Sequence, residues 1–99
     1  MAAQHEVWRL ADGTLVVVLQ SDLLAPMRTR VVAPLLPAEA AGRPMPPLTP
    51  EVQIGGAAYR LMPQLAATLT LSELGTRQGS VAHLQDEITR AVDCLLGGI

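Results

Sequence analysis

The chain has 99 residues, 49% of them hydrophobic and 16% charged, a balance that excludes a disordered polymer and allows one modest core. Net charge is −2 and no cationic run exists, so direct nucleic-acid binding is not expected. No stretch reaches the roughly 18 apolar residues that a membrane span needs, and "MAAQHEVWRL" lacks the basic start and apolar run of an export signal.

These readings predict a single domain over residues 1–99 and a cytoplasmic location. Phe is absent, and Trp8 and Tyr59 are the aromatic residues, so the core must be built from Leu, Val, Ile, Met and Ala. A core without large rings gains from oligomerisation. All seven basic residues are Arg and none is Lys; their scatter along the chain fits a coding bias better than a guanidinium patch.

In chain order, residues 7–10 and 14–20 read as a hairpin, with Asp12-Gly13 as the turn between two β-rich runs. Leu15-Val16-Val17-Val18-Leu19 is apolar at every position, as in a central strand or one that also lies at an interface. Pro26 interrupts the connection that follows. Residues 29–35 read as a third strand, with Pro34 near its end. Residues 36–50 contain Pro37, Pro44, Pro46, Pro47 and Pro50 and read as an irregular excursion.

A second hairpin turns at Gly55-Gly56, with Val52 and Ile54 before it and Tyr59 and Leu61 after it. "ATLTLSEL" alternates leucine with threonine and reads as a short half-exposed strand. Val81, Leu84, Ile88, Val92 and Leu95 then recur at intervals of three and four, which predicts a helix capped by Ser80 and stopped at Gly97. Strands first and a helix last predict an α+β domain with an antiparallel, barrel-like sheet.

Chemistry-bearing residues are sparse. His5 and His83 stand at opposite ends of the chain, and neither has a second ligand at metal spacing. Cys94 is single and sits in the helical pattern as a small apolar group, so no disulfide framework or paired metal site is expected. Ser21 and Ser80 lie outside any nucleophile elbow, and Gly55-Gly56 lacks the helix and Lys of a phosphate loop. Asp86 and Glu87 are adjacent on a helix and point apart. The residues predict a binding module with no active site and no cofactor. Helix-stop geometry leaves two readings of the terminus: Ile99 folds back onto the core, or it stays exposed for a partner.

"LQSDLLAPMRTRVVAPLLP", "LTPEVQIGGAAYRLM" and "HLQDEITRAVDCLLGGI", in this order, resemble the CcdB family of toxins from type II toxin–antitoxin systems. The resemblance spans nearly the whole chain. It implies an SH3-like antiparallel β-barrel with one long C-terminal helix, assembled as a homodimer. It implies binding to the A subunit of DNA gyrase, with the cleaved gyrase–DNA complex trapped, and neutralisation by a CcdA-like antitoxin. It implies no enzymatic activity and no cofactor. By the resemblance, His83, Gln85, Gly97, Gly98 and Ile99 contact gyrase. The resemblance does not place the antitoxin's footprint; Arg28 and Arg30, with the edge of the Pro-rich loop, are the candidates for it. His83, Gly98 and Ile99 match the family pattern; Ala82, Gln85 and Gly97 replace its Ser, Glu and Trp. Two alternatives use the same fold: a homologue that binds antitoxin without poisoning gyrase, and a MazF-like endoribonuclease. The acidic balance and lack of a basic groove argue against the second.

Overall fold

The architecture comes from a computed structural model that describes residues 2–98. Seven strands run in chain order: β1 (Glu6–Arg9), β2 (Leu15–Val18), β3 (Thr29–Pro37), β4 (Glu51–Ile54), β5 (Ala57–Leu61), β6 (Ala67–Thr70) and β7 (Thr76–Ser80). One helix, α1 (Gln85–Gly97), closes the described chain. All strand pairs are antiparallel, in the order β4-β5-β3-β2-β1-β7, with β6 also on β3.

β3 organises the sheet. Its edge away from β2 is shared: Thr29 to Val32 pair with β6, and Leu35 to Pro37 pair with β5. One long strand with two successive partners on one side produces a curled sheet rather than a flat one.

The period-two alternation of β2 sends Leu15 and Val17 to one core, and Val16 and Val18 to the other. The first core joins Val7, Ala33, Leu35, Val52 and Leu61 to Val81, just after β7, and to Ile88 on α1. The second joins Ala2, Val32 and Leu74, with Trp8 and Leu69 at its margin. β2 is thus the central strand, and the reading of Leu15 to Leu19 as part of an interface loses its support: Leu15 to Val18 are buried within the single chain.

Four local expectations need correction. The irregular excursion begins after Pro37, not at Leu36, because Leu36 and Pro37 still pair with Arg60 and Tyr59. The helix begins at Gln85 rather than after Ser80. Ser80 is the last residue of β7 and faces Glu6, and the Val81 N–H donates to the His5 carbonyl at 2.8 Å. A chain still tied to β1 cannot open a helix, so a 3-10 turn, Ala82–Leu84, intervenes. β7 itself, "TRQGS", has no counterpart among the expected strands: it is polar, exposed and interrupted by Gly79, so it carries no apolar period. Finally, the left-handed stop is Gly98 (φ 71°), one residue beyond the expected Gly97, and its N–H donates to the Cys94 carbonyl at 3.0 Å.

β1 and β7 are also joined by side chains. Arg77 Nε donates to Glu6 Oε2 at 2.7 Å. Burial disfavours the ionised Glu6, but the bonds from Arg77, the Ala3 N–H and the Trp8 indole outweigh it and hold its carboxyl below the ordinary range.

Candidate functional site

The expected gyrase-contacting residues fall into two groups. His83 lies in the 3-10 turn and Gln85 opens α1; both are exposed. Gly97 and Gly98 stand at the other end of α1. Thirteen helical residues put about 18 Å between these ends, so one small contact cannot use both. Ile99 lies outside the described residues.

The two arginines expected at the antitoxin surface also separate. Arg28 is exposed. Arg30 is only 3% exposed. Its Nε donates to the Ala2 carbonyl at 2.9 Å. Its Nη1 reaches the carbonyls of Met27 at 2.7 Å and Thr29 at 2.8 Å, and its Nη2 that of Ala25 at 3.2 Å. A guanidinium has five N–H donors, and nearly all are consumed here. The expectation that Arg30 offers a contact surface is therefore corrected: it fastens the segment 21–28 to the body of the protein.

That segment is braced throughout. Gln20 spans it, donating from Nε2 to the Thr29 carbonyl at 3.0 Å and accepting from the Val31 N–H at 3.1 Å. Ser21 Oγ accepts from the Leu23 N–H at 3.1 Å, opening a 3-10 turn at Asp22–Leu24. Asp22 Oδ1 accepts from the Gln4 N–H at 2.8 Å. This polar frame holds Leu23, Leu24 and Met27 outward, with Leu23 90% exposed.

The N-terminal turn connects this loop to the end of α1. Gln4, tied to Asp22, shares a cleft of about 130 Å³ with His5, Leu19, Ile88, Thr89, Val92 and Asp93. Leu96 follows Asp93 by three positions, on the adjoining helical face, and is 79% exposed. Leu23 and Leu24 on the loop and Leu96 near the end of α1 are thus exposed apolar side chains on segments joined through the N-terminal turn. Large apolar side chains held in water are candidates for interaction surfaces.

Sequence reasoning found Gly97 and Gly98 here but missed Gln4, His5, Leu23, Leu24, Asp93 and Leu96. A leucine looks the same in sequence whether a turn points it inward or outward. The available signal was Gln20-Ser21-Asp22, three polar residues that brace the loop.

Among the described residues no group of three or more His, Cys, Asp or Glu side chains could hold a metal ion. No helix among them is long and apolar enough to cross a membrane.

Comparison with solved structures finds the same fold in two proteins from mycobacterial species. One is an endoribonuclease in complex with its cognate antitoxin: TM-score 0.81, 16% identity, covering 98% of this chain and 96% of that one. The other is an endoribonuclease at TM-score 0.75 and 18% identity, covering 96% and 90%. At these identities the likeness speaks for the fold. Comparison with curated protein sequences finds no match. The family described as CcdB protein matches residues 4–98, nearly the full length, and with the curled seven-stranded sheet and C-terminal helix in place the chain belongs to the CcdB family.

Proposed function

We propose that this protein is a toxin that binds the A subunit of DNA gyrase, traps the cleaved gyrase–DNA complex and is neutralised by a CcdA-like antitoxin. The observation that carries the reading is the family match over residues 4–98, combined with an exposed leucine-bearing end at the close of α1. Gly97, Gly98 and Ile99 belong to the gyrase contact in this reading. Leu23, Leu24 and Leu96 supply apolar area that the missing family Trp would otherwise provide. His83 and Gln85 form a second, separate contact at the start of α1. Arg28, an exposed cation, faces acidic residues of the antitoxin. The active species is a homodimer, which sedimentation of the purified chain tests.

The direct experiment is a gyrase–DNA cleavage assay with the full chain beside a truncation lacking Gly98 and Ile99. Linear DNA that accumulates with the full chain and not with the truncation is the expected result. A folded protein that leaves gyrase untouched yet binds a CcdA-like peptide would point to an antitoxin-binding homologue.

A second reading has one specific observation in its favour: the fold neighbours are endoribonucleases. In this reading the protein cleaves single-stranded RNA. Arg30 cannot serve it, since its donors are occupied by backbone carbonyls. The exposed Arg9, which lines an open cleft with Asp12, Thr14 and Tyr59, is the residue to mutate. Cleavage of a single-stranded RNA that is lost in Arg9→Ala would replace the gyrase reading.

A further inference from the structure

A core without Phe needs its other large apolar side chains, yet two of the three described methionines stand half in water. Met27 is 51% exposed and Met45 57%, against 8% for Met62. Both exposed residues sit on hydrogen-bonded turns. The Met27 N–H donates to the Leu24 carbonyl at 3.0 Å, and the Met27 carbonyl accepts from Arg30 Nη1 at 2.7 Å. The Met45 N–H donates to Thr49 Oγ1 at 3.0 Å, and the Met45 carbonyl accepts from the Thr49 N–H at 3.1 Å. Each thioether is therefore presented to solvent by a braced backbone.

Met27 differs from Met45 in its company. Leu23 and Leu24 precede it on the same exposed segment, and the bond from Met27 to Leu24 closes the turn that carries them. Met45 has Pro44 and Pro46 on either side. The brace of the segment 21–28 runs through Gln20, Ser21 and Arg30, and none of its bonds uses the Met27 side chain. A chemical change at the Met27 sulfur would thus alter the surface and leave its support in place.

We propose that Met27 is a site of reversible oxidation that turns the segment 21–28 from an apolar surface into a polar one with the fold intact. The oxidant is a hydroperoxide. The thioether sulfur attacks the terminal peroxide oxygen, the S–O bond forms and the O–O bond breaks. The sulfur gives up two electrons, and the displaced hydroxide or alkoxide takes the remaining proton to leave as water or an alcohol. The sulfoxide is a polar acceptor beside Leu24, and an apolar contact would have to bury it without a donor. Methionine sulfoxide reductase restores the thioether. The effect on a partner rests on the reading of Leu23 and Leu24 as gyrase contacts.

The test treats the full chain with hydrogen peroxide, removes the excess with catalase and adds dithiothreitol, which reverses thiol oxidation at Cys94 and leaves a sulfoxide unchanged. Peptide mass spectrometry should find the added oxygen at Met27 and Met45 well before Met62, and the melting curve should match that of the untreated chain. In Met45→Leu, oxidation should shorten retention on a hydrophobic column; in the double variant Met27→Leu/Met45→Leu it should not. Gyrase trapping by Met45→Leu should fall about tenfold on oxidation and return after reductase treatment, whereas the double variant should keep whatever level it starts from. Oxidation of Met27 no faster than Met62, a lowered melting temperature, or unchanged retention in Met45→Leu would overturn the proposal. So would trapping that ignores the Met27 sulfoxide. A chain that traps no gyrase before treatment would discard the gyrase reading alone, since mass and retention decide the oxidation site without it.

Discussion

The same residue types occupy opposite extremes of this molecule. In the sheet, Val17, Val18 and Leu61 are fully enclosed. At the loop 21–28 and the end of α1, Leu23 and Leu96 are 90% and 79% exposed. The difference lies in what surrounds them. The strand residues are covered by two cores, one on each face of the sheet. The loop residues sit on a frame of polar side chains and backbone carbonyls that supports them from below and leaves them open above. Burial of an apolar side chain stabilises the fold by about 2 kcal/mol; leaving a rigid leucine outside forgoes that gain and keeps it for a partner.

Substitutions can break this contrast, beginning with the most severe. Val17→Asp should cost about 5 kcal/mol, enough to unfold a small domain, whereas Leu23→Asp should change stability by no more than about 0.5 kcal/mol. Urea unfolding of the two variants side by side measures the contrast directly. Similar losses in both would mean that Leu23 is covered in the working assembly.

Arg30→Ala should follow, at about 3 kcal/mol, because it strands the carbonyls of Ala2, Ala25, Met27 and Thr29. Arg30→Lys should recover little, since an ammonium cannot reproduce the planar fork. Hydrogen exchange should show the loss concentrated in residues 21–28, where the backbone brace is released.

Gly75→Ala should cost about 2 kcal/mol, because an added methyl at Gly75 would collide with the Arg9 carbonyl. A melting curve shows it, and β7 should detach first. Leu23→Ser and Leu96→Ser should leave the melting temperature near that of the parent. On the gyrase reading proposed above, each should still weaken binding to the gyrase A subunit by about thirtyfold, the equivalent of a roughly 2 kcal/mol hot spot. Isothermal titration against the gyrase A subunit separates the two effects.

The smallest effect expected is at Glu6, where an exposed arginine limits the gain. Glu6→Gln should lose about 0.5 kcal/mol at neutral pH. The folded carboxyl titrates below its ordinary value of 4.5, so the stabilisation is complete above that pH and disappears as pH falls through the folded value. Parent and variant should therefore converge in stability in acid, and a difference that persists there would mean the bond acts by shape rather than charge.

Much of the fold was legible along the chain. Asp12-Gly13 and Gly55-Gly56 mark their hairpins because glycine reaches the backbone angles of tight turns, and the apolar run of β2 announces a strand covered on both faces. β7 was not legible, since its stability comes from pairing with β1 and from Arg77 on Glu6, not from any apolar period of its own. At the site, the glycines after the helix were visible and the leucines around them were not. The buried Arg30 was misplaced for the same reason: sequence shows that a guanidinium is present, and only folding shows that four carbonyls converge on it.

Local chemistry by itself determined the turns, the central strand and the C-terminal helix, because these depend on neighbours a few residues away. Tertiary structure alone decided which leucines stay in water, that Arg30 and Arg60 are enclosed, and that His5 and Asp93 share one cleft. Those outcomes depend on segments 88 positions apart, Asp93 against His5, meeting across the sheet and the helix. No local pattern encodes a contact of that separation.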